Sequence, residues 1–368
     1  MCEMIQPLIS VLMGTYRTSI SFLEEAVNSI LHQTYHNIEF VIVNDGSDDE
    51  KEIAYLEHIS LADRRVKVIT NEQNMGLTKS LNVGLKQCHG KYIARMDADD
   101  IAMSDRLERQ LQYMEAHPEV ALVGSEIIVF GEDIEECDRS KRYDRMMDPE
   151  IYRIRSLIQN AGPPHPTFFL RSDFLKKNQI AYREDILKAQ DYGLIADVLK
   201  ADGRIYKIKE PLLRYRMHAG QISTTSEIMQ IVYQSKVSYD YIRFLFPELR
   251  KEEISAITVL GNRVPLELMI STIEHDSQLE DVCRDFKESR DDLQEPQIYI
   301  GAIQKLLRLN KQRRFFKQTV LRREICAEYW ERDLREIVQE RKHWCVRPFV
   351  IMAYFDSRRV RREKKKLW

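Results

Sequence analysis

The stretch Tyr92-Ile93-Ala94-Arg95-Met96-Asp97-Ala98-Asp99-Asp100 decides how this chain is read, because a short β-rich run ends in three carboxylates within four positions. So much like charge at a strand end is costly unless a cation sits there. Carboxylate oxygens are the hard ligands that Mg²⁺ or Mn²⁺ prefers, and Mg²⁺ usually takes one or two of them while a substrate's phosphates complete its coordination. The run points to a divalent metal holding a diphosphate. Taken alone, it is equally compatible with a solvated acidic turn that caps a helix from Ser104 to Ala116.

Outward from this run, short apolar segments alternate with amphipathic ones. Leu8–Met13 precedes Ser21–Gln33, Ile38–Val43 precedes Asp49–Ile59, Val66–Thr70 precedes Leu77–Cys88, and Lys91–Met96 precedes Ser104–Ala116, with Val120–Val129 following. Such alternation predicts βαβ units and a largely parallel sheet. In the first helix, Ser21 and Glu24 are spaced as a capping box, and Leu23, Ala26, Val27, Ile30 and Leu31 recur on one face. Ligands of open parallel sheets bind outside the carboxyl ends of the strands. Here those ends read Gly14-Thr15-Tyr16-Arg17, Asn44-Asp45-Gly46-Ser47-Asp48-Asp49 and Asn71-Glu72-Gln73-Asn74-Met75-Gly76, beside the acidic run itself. Four polar termini on one edge define a site. Asp48 and Asp49 read as helix caps.

The chain contains neither G-x-G-x-x-G nor G-x-x-x-x-G-K-[ST], which argues against a dinucleotide oxidoreductase and a P-loop enzyme. Its 368 residues suit about two domains, and 43% apolar composition is ample for a packed core. Six scattered cysteines without a C-x-x-C pair suit reduced thiols. No apolar stretch approaches the roughly eighteen residues of a membrane span, and no basic-then-apolar leader opens the chain, so the expected location is cytoplasmic.

A net charge of -2 conceals a basic tail, since Arg341 to Trp368 hold ten Lys/Arg against two acidic residues. This tail follows the apolar run Phe349 to Phe355, which suits peripheral contact with an anionic membrane face. A solvated extension is the equal alternative. No nucleic-acid partner is expected. Beyond Val129 the pattern is irregular until Pro163, after which Thr167–Arg171 reads as a strand and Asp191–Ala201 as a helix stopped by Gly203. From Ser226 onward the spacing is helical and charge-rich, broken at Pro247, Pro265 and Pro296, with all three tryptophans (Trp330, Trp344, Trp368) near the end.

With the strand ends read in this way, the first 225 residues resemble family 2 glycosyltransferases of the GT-A fold. The resemblance rests on "PLISVLMGTY" at 7–16, "AVNSILHQTYHNIEFVIVNDGSDD" at 26–49, "NMGLTKSLNVGL" at 74–85, "YIARMDADD" at 92–100, "HPTFFLR" at 165–171, "AQDYGL" at 189–194 and "YRMHAGQIS" at 215–223, in order and at fitting separations. It implies an α/β domain over 1–225, Rossmann-like with a mostly parallel sheet flanked by helices, followed by a helical C-terminal region over 226–368. The implied activity is transfer of a sugar, with inversion, from a nucleoside-diphosphate donor, most often a UDP-sugar in this family, to a hydroxyl of a glycan or lipid-linked acceptor, with Mn²⁺ or Mg²⁺.

Carried onto this sequence, Thr15, Tyr16 and Arg17 would lie at the nucleotide, with Asp45 accepting a hydrogen bond from its base. Asn74, Gly76 and Lys79, with Asn82 on the same helix, would line the donor pocket. Asp97 and Ala98 would approach the ribose and Asp99 the metal, with Asp100 behind it or capping a helix. Arg95 would meet a phosphate or neutralise the acidic cluster, and His218 would complete the metal or diphosphate site. Asp191 matches the general base of the family, preceded by Gln190 where Glu is common. His165 and Gln190 would face the acceptor. Rival readings are a sugar nucleotidyltransferase, for which Gly14-Thr15-Tyr16-Arg17-Thr18 is a poor loop, and a non-catalytic binder of nucleotide or glycan.

Overall fold

The computed structural model describes residues 6–131, 134–138, 149–218, 227–262, 284–286, 288–289, 292–294 and 296–316. The tryptophans, the basic tail and Pro265 lie outside the described residues, as do all cysteines except Cys88 and Cys137. Among the described residues no helix is long and apolar enough to cross a membrane.

The first half follows the predicted alternation closely. Strands β1 (Ile9–Thr15), β2 (Ile38–Asn44), β3 (Val66–Thr70) and β4 (Tyr92–Asp97) pair in parallel in the order β3-β2-β1-β4. Helices α1 (Ile20–Leu31), α2 (Glu50–Ala62) and α3 (Leu77–Leu85) connect them. Side chains alternate across a strand. Accordingly Ile9, Val11, Met13, Phe40 and Ile42 enter one apolar layer, whereas Leu12, Val41 and Val43 enter the opposite one. Helix α1 buries Leu23, Ala26, Val27 and Ile30 as expected, but its cap differs. The Ser19 carbonyl already accepts the N–H groups of Phe22 and Leu23, so Ser21 lies inside the first turn and cannot close a box with Glu24.

Beyond β4 the sheet is mixed rather than parallel. A two-residue β5 (Ile101–Ala102), helix α4 (Arg106–Ala116), the long β6 (Val120–Gly131) and β7 (Ile134–Asp138) follow, then α5 (Pro149–Arg155), β8 (Phe169–Arg171), α6 (Ser172–Lys177) and α7 (Gln190–Lys200). Strand β8 inserts between β4 and β6, antiparallel to both. The unpredicted strand β9 (Arg204–Arg216) runs parallel to β6 and antiparallel to β5. Its sequence RIYKIKEPLLRYR hides it, because charged residues and Pro211 break the apolar signature. The register shifts near Pro211, opposite Glu126, and the buried Lys207 pairs with Glu126 across the two strands. At the end of α7 the left-handed residue is Asp202, not the expected Gly203, whose N–H instead reaches back to the Val198 carbonyl at 2.9 Å.

Among the described residues past 226 lie helices α8 (Glu227–Leu245), α9 (Lys251–Asn262) and α10 (Pro296–Arg313), with Pro296 opening its helix. They share one apolar core with the sheet domain. Tyr192 and Ile195 of α7 belong to the same cluster as Val237 and Tyr241 of α8, Ile257 of α9 and Ile303 of α10.

Candidate active site

Strand β4 delivers Asp97, and the short β5, pinned to β9, turns the chain so that Asp97, Asp99 and Asp100 bring carboxylate oxygens within 4.8 Å of one another. The end of β9 closes this turn. The Arg216 N–H donates to Asp100 Oδ1 at 2.8 Å, its Nε donates to the Asp99 carbonyl at 2.8 Å, and its guanidinium lies 4.2 Å from the centre of the Phe22 ring. His218 Nε2 lies 3.0 Å from Asp99 Oδ2. Asp100 is therefore not a helix cap: it is fully buried under Arg216, its Oδ2 has no partner, and α4 starts after Asp105.

Two buried arginines back the acidic turn. Arg95 pairs with Asp97 and keeps Nε and Nη1 without partners, and Arg106 donates to the Arg95 carbonyl at 2.6 Å. Of the two roles expected for Arg95, its pairing matches neutralisation of the cluster. Burial pushes the Asp97 carboxyl above its ordinary range despite Arg95, and burial with the charges of Asp97 and Asp99 pushes Asp100 well above it. Burial also lowers Arg106 to about 9. Negative charge is thus held here at a cost that a cation would relieve.

Along the same edge, Asp45 is buried and already engaged. Its Oδ1 accepts from Asn71 Nδ2 at 2.9 Å and from the Met75 N–H at 2.8 Å, and its Oδ2 accepts the Gly76 N–H at 2.8 Å. It therefore anchors the 71–76 loop and retains a lone pair on Oδ2 for a further donor. Gly46 permits this turn at φ +68, since a Cβ there would lie 2.4 Å from the Gln73 carbonyl carbon. Gly46→Ala is expected to destabilise the protein by about 2–4 kcal/mol, from the left-handed backbone and the backbone clash together, as read by urea unfolding.

Tyr16 presents an exposed ring at the end of β1, with Arg17 beside it. Arg17 grips Asp48 in a two-point pair at 2.7 Å, which explains why Asp49 alone caps α2. Thr15 is buried and hydrogen bonded to Glu52, which also accepts from Ser47 at 2.5 Å. Asn74 and Lys79 are exposed and Ala98 is buried. Asn82 is buried, and its amide is held by the Tyr182 backbone, accepting its N–H at 2.9 Å and donating to its carbonyl at 2.8 Å.

Asp191 lies in the first turn of α7, after Ala189 at φ +59 and Gln190. Burial holds its carboxyl above the ordinary range, countered by Asn160, whose Nδ2 donates to Oδ2 at 2.7 Å, and by Arg95. His165 Nε2 lies 2.8 Å from the Tyr182 hydroxyl, and burial beside Arg95 pushes the imidazole well below its usual range, so it is neutral. Asp97 feels the charges of both Arg95 and Asp191, and Tyr182 those of Arg95, Asp97 and Asp191, so the helix-borne carboxylate lies within electrostatic reach of the acidic turn. Sequence reasoning missed Asn160, Tyr182, Arg106 and Glu52. None carries a periodic or spacing signal, because each acts through a tertiary contact.

An acidic turn at the end of β4, with a carboxylate on a later helix within its electrostatic reach, offers a place for a cation and an anionic substrate. The model of "Glycosyl transferase family 2" matches residues 10–178. An uncharacterized glycosyltransferase of Haemophilus influenzae is 32% identical over 244 residues, covering 65% of this chain and 74% of that protein. The O-antigen biosynthesis glycosyltransferase WbnJ of Escherichia coli is 29% identical over 240 residues, covering 65% and 89%. Among solved structures, S. aureus TarS 1-349 in complex with UDP-GlcNAc has the same fold, with a TM-score of 0.56 over 92% of this chain and 93% of that one at 19% identity. The chain belongs to glycosyltransferase family 2 and has the GT-A fold.

Proposed function

We propose that this glycosyltransferase moves a sugar, with inversion, from a UDP-sugar to an acceptor hydroxyl in the assembly of a cell-surface polysaccharide. The observation that carries this reading is the cluster of Asp97, Asp99 and Asp100, whose carboxylate oxygens lie within 4.8 Å of one another, with Asp191 near enough to act on Asp97. The names of relatives agree with it: WbnJ is an O-antigen enzyme, GgaB of Bacillus subtilis a minor teichoic acid biosynthesis protein, and TarS was solved with UDP-GlcNAc.

The donor set fits a divalent ion, being all carboxylate with one imidazole alongside, and containing a buried Asp100 oxygen that lacks a partner. Asp99 would hold Mn²⁺ or Mg²⁺, with His218 completing the site and Asp97 toward the ribose, and the ion would supply neutralising charge for the departing diphosphate. The protein's own groups do the rest. The exposed face of Tyr16 stacks the base and Asp45 offers it an acceptor. The Asp191 carboxylate takes the proton of the attacking hydroxyl as the sugar–phosphate bond breaks, and the sheet edge orients the donor for attack from the opposite face. The basic tail, with ten Lys/Arg in its 28 residues, would draw the enzyme peripherally to an anionic, cytoplasmic membrane face where a lipid-linked acceptor resides.

A thermal-shift panel of nucleoside diphosphates and their sugar conjugates tests the donor. UDP with Mn²⁺ is expected to raise the melting temperature, by about 2.7 kcal/mol of added stability at a hundredfold excess over Kd. No response to any diphosphate, with or without Mn²⁺, would refute the reading.

A further inference from the structure

Asn160 lies in the linker between α5 and the helical turn at His165–Thr167, flanked by Gln159 and Ala161, and no motif marks it. The linker is nevertheless held firmly. The Tyr192 hydroxyl donates to the Ser156 carbonyl at 2.6 Å, and Ser238 Oγ of α8 donates to the Leu157 carbonyl at 2.6 Å. Beyond Asn160, Gly162 packs so tightly on α7 that a Cβ would come within 2.0 Å of Ile195 Cδ1. With both flanks fixed, the Asn160 amide meets the first turn of α7, where Nδ2 donates to Asp191 Oδ2 at 2.7 Å. Its Oδ1 faces the Gly162 N–H at 3.4 Å, so the amide has its donor end toward the carboxylate.

We propose that Asn160 is the positioning residue of the base: its N–H fixes the Asp191 carboxylate and favours the ionised form, leaving the second oxygen to receive a proton. This rests on the reading of Asp191 as base and adds the group that governs it. The surroundings make such a partner necessary. Burial opposes ionisation of Asp191 most strongly, and the Asp97 carboxylate of β4 also repels it. Arg95 of β4 and the N–H groups opening α7 favour ionisation, while Tyr182 and the neutral His165 add no charge of their own. A hydrogen bond to the charged form is the remaining means of keeping the base unprotonated near neutrality.

The test uses the full chain labelled with ¹³C-aspartate, with the Asp191 signal assigned by its loss in Asp191→Asn. In Asn160→Ala the titration midpoint of Asp191 is expected to rise by about one unit or more, and in the near-isosteric Asn160→Asp to rise further, because two carboxylates then share the site. With UDP-N-acetylglucosamine and Mn²⁺, hydrolysis measured as UDP release should show the acid limb of kcat/KM moving upward by the same interval, with kcat lowered and the donor KM unchanged. A wild-type midpoint in Asn160→Asp, which preserves the packing of the linker, overturns the proposal. An Asp191→Asn enzyme as active as the parent would instead overturn the base reading itself; an inactive Asp191→Asn beside normally titrating Asn160 variants would remove only the positioning role.

Discussion

Asp191→Asn is expected to leave UDP binding unchanged while lowering sugar transfer by roughly 10²- to 10⁴-fold, the usual contribution of a positioned general base. The amide keeps the size of the carboxylate and can still lie against Asn160, so the first turn of α7 retains its packing, but it cannot take a proton. The pH dependence carries a definite sign. Because burial raises the carboxyl of Asp191, the parent enzyme loses activity as pH falls through that raised value, and activity is fully present above it. Calorimetric titration with UDP and Mn²⁺, set beside initial rates, separates the two effects. Turnover comparable to the parent would take Asp191 out of the reaction.

Asp99→Asn should act on the acidic turn at the end of β4. Loss of this carboxylate is expected to abolish stimulation by Mn²⁺ and to lower transfer by roughly 10²- to 10³-fold, matching the effect of chelation by EDTA on the parent. The same change should stabilise the metal-free protein. Asp99 repels both Asp97 and Asp100, whose carboxyls are already raised by burial. A group with a raised carboxyl pKa binds more protons folded than unfolded, so it costs stability as pH rises through the carboxylate range, and removing a repelling neighbour relieves that cost. Melting at pH 8 in EDTA should therefore occur higher for Asp99→Asn than for the parent, and lower once Mn²⁺ and UDP are added to both. A variant that still gains as much from Mn²⁺ as the parent would show that the ion is held elsewhere.

The βαβ half of the fold was legible because period-two and helical apolar spacing coincide there with short turns: Val66–Thr70 is found as read, and β1, β2 and β4 shift by only a residue or two. Legibility ended where pairing is set at long range. Strand β9 carries charges such as Lys207, whose partner Glu126 lies on β6, so it does not announce itself locally, whereas β8 falls within the segment Thr167–Arg171 read as a strand and only its antiparallel pairing was out of reach. The site divides in the same way. Asp97, Asp99 and Asp191 could be named from motifs, and the end of β9 brings His218 to Asp99. Asp48 was misread as a cap, and the contacts of Asn82 went unread, because a carboxylate after a strand and an amide on a helix face have several possible partners. Folding gave Asp48 to Arg17 and Asn82 to the Tyr182 backbone.

Helix α7 has one end in each half of the molecule's business. Its first turn holds Asp191, while Tyr192 and Ile195 are covered by α8, and Arg183, just upstream, grips Asp240 of α8 at 2.7 Å. Helices α8 to α10 thus serve as the foundation under Asp191 rather than as baggage trailing a finished domain. A knife placed at 225, where the motifs run out, would strip the helix of its roof and leave Asp191 without a footing.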